Sequence, residues 1–291
     1  MRDHRARVFQ SDHKLKEALG RPDLHLGSPP PLHAAAGRMN ARGISVFYGA
    51  NSSEVALAEV RPPVGSQVAI ARFEIISRIR LLDLTAFDIV RTRGSIFDPA
   101  HAGRLERAIF LGILSKRMTR PVMPDDETFE YIPTQAVADF LATAPNVEID
   151  GIFFPSAQVA GEARNVVLFH KAAKVELAEI PGDTTIDVSL GRRTEDGWER
   201  DYTVTEEILK KADESPPPPP ASWPPNFADL FVPPPPPDPA EWERDARFPT
   251  LRIDLKSIEV HVVEAVKFNT TPHLVHRYRW ERSKNRRTGQ S

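Results

Sequence analysis

The sequence predicts an α+β fold: a mixed-sheet domain followed by an extension that carries a proline-rich strap and extra strands. Three observations predict it. Between about residues 25 and 180, short apolar β-rich segments alternate with helical apolar patterns, without the strict βαβ regularity of a doubly wound sheet. Farther on, residues 184–190 (TTIDVSL) and 198–204 (WERDYTV) alternate with period two, as a hairpin does. Finally, the 28 prolines are far from evenly spread, and two runs of five lie between Pro216 and Pro239.

Taken in order, residues 1–24 (MRDHRARVFQSDHKLKEALGRPDL) read as a polar lead-in to the domain. GISVFYGA (43–50) is a short strand, and Ser52-Ser53-Glu54 opens a helix that runs to Arg61 and stops at Pro62-Pro63. Strands follow over Val68–Ile75 and Ile79–Leu84. Leu105, Ala108, Ile109, Gly112 and Ile113 keep helical spacing from Arg104 to Met118, with Pro121 as the boundary. Val137, Phe140, Leu141 and Ala144 mark a helix opened near Pro133. Asp150-Gly151 reads as a turn, residues 152–154 and 165–169 as buried strands, and TEEILKKADE (205–214) as a short amphipathic helix. LRIDL and IEVHVVEAVKF (251–268) read as strands again.

These elements divide the chain into a lead-in (1–24), a main domain (25–180), a hairpin and helix (181–214), the strap (215–240), C-terminal strands (241–270) and a basic tail (271–291). The strap's proline runs favour polyproline II and frame an apolar island of Trp223, Phe227, Leu230 and Phe231. That island suits a strap lying on the main body, or a docking segment for an aromatic groove elsewhere.

Composition excludes several classes. With no cysteine there are no disulfides, no thiolate chemistry and no cysteine-ligated zinc, and a reducing cytoplasm is the default location. The N-terminus is too polar for a signal peptide, and no apolar run reaches a membrane span. A net charge of −2 gives no global footprint for nucleic acid. The tail HRYRWERSKNRRTGQS mixes arginine with Tyr278 and Trp280, yet it is short and reads as a solvated terminus. The nine histidines are scattered; the nearest grouping, His261, His273 and His276, reads as surface or packing histidines, and no metal is expected.

No phosphate loop, dinucleotide fingerprint, GxSxG or HExxH occurs. The informative stretch is residues 31–63, which puts Arg38 in a loop, Tyr48 at a strand end and Glu59 on the next helix, ten and eleven residues apart. Arginine can clamp a pyrophosphate, an aromatic can stack on a base, and a carboxylate can hold ribose hydroxyls or steady a cation. Spacing alone leaves two alternatives open: surface charges with a core tyrosine, or Glu54 as the carboxylate in place of Glu59.

The stretch GRMNARGISVFYGANSSEVALAEVRP (37–62) resembles the signature of the RES-domain family, and YIPTQAVADFL (131–141), DGIFFPSAQ (150–158) and NVVLF (165–169) follow in family order. The resemblance spans residues 25–175 and implies an ADP-ribosyltransferase-like fold and a bacterial toxin that consumes NAD. It implies four catalytic residues, Arg38, Tyr48, Glu59 and Ser156, with Gln135 and Asn165 joining Arg38 and Tyr48 in holding the dinucleotide. On that pattern Arg38 meets the pyrophosphate or its ribose and Tyr48 the nicotinamide ring. Glu59 meets the ribose hydroxyls and the developing cation, and Ser156 nicotinamide or a phosphate oxygen. NAD is then the substrate, no cofactor is required, and a small helix-turn-helix antitoxin is an expected partner. Water as acceptor makes a glycohydrolase, phosphate a phosphorylase and a protein side chain an ADP-ribosyltransferase. A non-catalytic scaffold that binds a partner through its proline-rich or basic segments is the alternative of a different class.

Overall fold

The computed structural model describes residues 2–89, 97–159, 161–181, 183–195, 197–208, 245–267 and 270–280. The proline-rich strap, residues 209–214 of the expected helix and the tail beyond Trp280 lie outside these residues. Seven strands form one mixed sheet in the order β4-β5-β6-β2-β1-β3-β9. They are β1 (Arg2–Phe9), β2 (Phe47–Ala50), β3 (Gln67–Ile75), β4 (Leu81–Asp83), β5 (Gly151–Pro155), β6 (Arg164–Leu168) and β9 (Leu251–Val262). Only β4 and β5 pair in parallel. β7 (Thr184–Thr194) and β8 (Gly197–Ile208) form a separate hairpin. The helices are α1 (Asp12–Gly20), α2 (Pro22–His25), α3 (Ser53–Glu59), α4 (Pro99–Thr119), α5 (Glu127–Glu130) and α6 (Ile132–Thr143).

One face of the sheet is closed by α1 and the hairpin. Leu15, Ala18 and Leu19 meet Phe47, Phe73, Val166 and Leu168, with Val188, Leu190 and Tyr202 of the hairpin packed against them. Phe47 and Phe73 lie edge to face, their centroids 4.9 Å apart. The opposite face carries two separate apolar groups. Val55 and Ala56 of α3 cover Ala50, Val68 and Ile70. Met118 of α4 and Ala138 of α6 cover Ile152, Phe154 and Val167. Because the helices on this face pack in two groups, a cleft is left between them.

Local signals explain most boundaries. Ser52 caps α3 by accepting from Val55 N at 3.3 Å. Asp98 caps α4 by accepting from Ala100 N, with Pro99 at the first position, so this helix starts five residues earlier than its apolar spacing predicts.

The structure corrects four expectations. The lead-in is no lead-in: β1 lies inside the sheet between β2 and β3, registered with β3 along its whole length. Its sequence, RDHRARVF, is charged because it carries side chains to a polar cleft and to strand seams rather than to an apolar core alone. Gly151 is the first residue of β5 and not a turn, and a Cβ there would collide with the Val167 carbonyl, so its missing side chain admits the neighbouring strand. Thr205–Ile208 extend β8 rather than opening a helix, because pairing with Thr184–Asp187 satisfies their backbone. The two C-terminal strands are one, β9, with an irregularity opposite Ile70–Arg72, and residues 263–267 are not in a strand.

β9 therefore belongs to the same core as the main domain: Leu251 is 0% exposed and packs with Phe73 and Ala173. Leu251→Ala is expected to cost about 2–5 kcal/mol, read as a lower urea midpoint with unchanged slope. A variant as stable as the parent would show that β9 is dispensable.

β1 also buries an acid. Asp3 is 1% exposed, its Oδ2 has no partner, and burial raises its carboxyl from 3.8 to about 6. The folded protein thus holds this proton to higher pH than the unfolded chain does. Its contribution to stability is greatest below about pH 4 and is lost as pH rises to 6. Asp3→Asn should raise the melting temperature at pH 7 and flatten its fall between pH 4 and 6; an unchanged pH profile would contradict this assignment.

Candidate functional site

The cleft floor is a row of side chains across four strands. Phe154 pairs with Asn165, Asn165 with Ala50 and Ala50 with His4. Above this row lie two lobes. One, of about 370 Å³, is lined by Arg38, Glu59, Arg61, Glu127 and Tyr131 among others. The second, of about 340 Å³, is lined by His4, Arg5, Tyr48, Ala50 and Val60 among others. Arg38, Glu59, Phe154 and Asn165 line both, so they stand where the lobes meet. Cavities of this size are ordinary for small-molecule sites.

Glu59, the last residue of α3, reaches from the helix to the sheet. Its Oε1 accepts from Ser156 Oγ at 2.5 Å and from Asn165 Nδ2 at 2.8 Å. Both bonds fall on one oxygen, which leaves Oε2 to the cleft. Ser156 follows β5, where its backbone N donates to Ala163 O, and its hydroxyl also accepts from Gln158 N and Val159 N. That hydroxyl is therefore committed to holding Glu59 and its own loop. Asn165 is 5% exposed, and its Oδ1 is buried without a partner. The orientation of its amide is fixed by chemistry, because a flip would turn Oδ1 toward the carboxylate.

Arg38 is anchored at the C-terminal end of α4. Its Nη1 donates to Arg120 O at 2.6 Å and Met118 O at 3.2 Å, carbonyls that the helix itself leaves unpaired. The guanidinium lies 5.1 Å from the centre of the Tyr131 ring. Only one of its nitrogens is used in these bonds, so the rest of the fork is available to an anion. Tyr48 sits on β2 with its hydroxyl donating to Asn40 Oδ1 at 2.9 Å and accepting from Met39 N at 3.0 Å. Burial pushes its hydroxyl pKa well above the usual phenol range. Its hydroxyl is a brace for the Arg38 loop. Gly37 is required beside it, since a Cβ there would stand 2.8 Å from the Tyr48 hydroxyl and 2.7 Å from Asn40 Oδ1.

Of the sequence-predicted residues, Arg38, Tyr48, Glu59 and Asn165 line the cleft, and Ser156 touches it through Glu59. Gln135 lines neither lobe; its Nε2 donates to Gly37 O at 2.8 Å and steadies the loop from α6. Thr134 beside it, 2% exposed, donates to Arg38 O at 2.7 Å. The weighed alternative Glu54 is at the other end of α3 and lines neither lobe.

Several lining residues escape sequence reasoning. β1 and β2 share one ladder pair, His4 with Ala50, and beyond it Arg5 Nη1 donates to Tyr48 O at 2.9 Å, filling the seam where the strands part. Burial, with Arg7 adding to it, lowers the Arg5 pKa to about 9. His4 Nδ1 and Arg5 Nε are buried without partners. Tyr131, its hydroxyl pKa raised chiefly by burial, and Arg61 complete the first lobe. No pattern in RDHRARVF marks His4 and Arg5 as lining residues: the buried positions of β1 are Asp3, Ala6 and Phe9, three residues apart, and do not alternate as a half-buried strand does. As for metals, His261 on β9 pairs with Glu259, and His273 and His276 are exposed. No group of three or more potential ligand side chains occurs among the described residues.

Thr134→Val should test how far this bracing matters. Losing the hydroxyl leaves the Arg38 carbonyl unpaired, at an expected cost of about 1–3 kcal/mol, read by urea denaturation. No loss would mean that the loop holds itself.

Comparison with known proteins gives two findings. A family model described as the RES domain matches residues 6–190, well over half of the chain. No curated protein matches it. The match begins within β1 and ends within β7.

Proposed function

This chain belongs to the RES-domain family, and from that premise we propose that it consumes NAD by cleaving the bond between nicotinamide and ribose. The observation that carries the proposal is the position of Glu59, whose free carboxylate oxygen stands where two lobes meet. A dinucleotide is a two-part ligand, and its scissile bond belongs at such a junction.

The chemistry needs little more. The pyridinium is a cationic leaving group. When the bond from its nitrogen to ribose C1 breaks, the electron pair leaves with nicotinamide and positive charge develops on the ribose. A carboxylate held in place before the reaction stabilises that charge without having to reorganise. Ser156 and Asn165 fix Glu59 in this pose as positioning residues, and Arg38 supplies the cation for the diphosphate. An acceptor oxygen then takes the ribosyl carbon and gives up its proton. Tyr48 contributes its ring to the wall, its hydroxyl being already engaged.

The reading includes a toxin-like role in the cytoplasm, where NAD is drawn on, with a helix-turn-helix antitoxin as the partner that blocks the cleft. Among the described residues no helix is long and apolar enough to cross a membrane.

Incubating the purified protein with NAD, with and without inorganic phosphate, tests the proposal. Nicotinamide release that requires phosphate identifies a phosphorylase, and release without it a glycohydrolase. No release from folded protein would overturn cleavage with water or phosphate as the acceptor and favour transfer to a protein side chain or a binding scaffold. Glu59→Gln keeps the shape and both incoming hydrogen bonds but removes the charge. It is expected to slow nicotinamide release about 100-fold or more with the melting temperature little changed; full turnover would displace Glu59 from the centre of the mechanism.

A further inference from the structure

Arg61 is the one described non-glycine residue with positive φ, at 43°. It follows the C-cap of α3, Val60, and its backbone N donates to Ala58 O at 3.3 Å to close the helix end. A helix finished in this way ordinarily carries glycine at that position, because a Cβ crowds the backbone there. Pro62 restricts the residue before it further. Glycine would make the same turn without strain, and this chain puts its longest cationic side chain there instead.

That side chain lines the first lobe, as Arg38 does. The nearest opposite charge is Glu127, whose Oε1 lies 3.9 Å from Arg61 Nη1, with both side chains more than a third exposed. So loose and open an ion pair contributes little, and it does not account for the strain. Two guanidiniums on one cavity, one held at the end of α4 and the other at the end of α3, make a site for an oxyanion. We infer that the first lobe is a phosphoryl site, in which Arg61 and Arg38 grip the oxygens and Glu127 stands in for the anion when the lobe is empty. The inference rests on NAD cleavage only for the anion's source, either the diphosphate of the dinucleotide or free phosphate as the acceptor.

Calorimetric titration of the whole protein with ADP, inorganic phosphate and adenosine tests it. Arg61→Gly removes the cation and the strain together. It should weaken the binding of ADP or phosphate about tenfold or more, with adenosine unaffected and the melting temperature equal or higher. Arg61→Lys should keep part of the affinity, and Glu127→Gln should tighten anion binding by removing the competitor. ADP binding much tighter than phosphate assigns the dinucleotide's diphosphate; the reverse order assigns the free anion. Parent-like anion binding by Arg61→Gly, or no binding of either anion by the parent, overturns the inference. Nicotinamide release separates the two readings. Arg61-dependent anion binding without NAD turnover sinks NAD cleavage alone. Turnover with unchanged KM for NAD and phosphate in Arg61→Gly sinks the phosphoryl site alone.

Discussion

Two side chains converge on a single carboxylate oxygen, Glu59 Oε1: the Ser156 hydroxyl from the end of β5 and the Asn165 amide from β6. Those contacts tie the C-terminal end of α3 to the middle of the sheet. They keep one edge of the cleft at a fixed height above the floor. They also leave the second carboxylate oxygen free at the junction of the two lobes. Hydrogen bonds to an ionised acceptor are among the stronger ones available to a protein. Without them, α3 would be held by Val55, Ala56 and its Ser52 cap, contacts that fix where the helix lies but not where Glu59 points.

The opposite edge of the cleft is built on a complementary principle. Arg38 is part of no helix or strand, and its position is imposed from outside. The end of α4 offers Met118 and Arg120 carbonyls, α6 offers Thr134 and Gln135, and β2 offers the Tyr48 hydroxyl to the same loop. Polar side chains thus do here what apolar packing does elsewhere in the domain. The cost is carried in β1, which places Asp3, Arg5 and Arg7 in partly or fully buried positions. Burial shifts all three away from their charged forms.

Much of this was legible in the residues. Ser52, the apolar run after it and Pro62-Pro63 delimit α3, and Arg38, Tyr48 and Glu59 do converge as a loop, a strand end and a helix end can. The strand β1 was not legible, because RDHRARVF lacks the apolar alternation that marks a half-buried strand; its partners are a polar cleft and a carbonyl in a seam. Thr205–Ile208 read as helix because Glu206 and Glu207 favour one, and strand pairing overrode that preference. Gln135 shows another limit. Its motif placed it near the site, but whether an amide meets a ligand or a loop carbonyl depends on a distance that no spacing encodes. Arg61 was passed over as the end of a helix, since its significance lies in a backbone angle.

In the proposed function, a dinucleotide bends across the junction of the two lobes, over the floor of Phe154, Asn165, Ala50 and His4, with its glycosidic bond at Glu59. The most direct test is a crystal structure of the Glu59→Gln protein soaked with NAD. The account predicts intact NAD across both lobes, with the nicotinamide ribose C1 facing the side chain at position 59. NAD bound outside the cleft, or inside it with that carbon remote from position 59, would contradict the account.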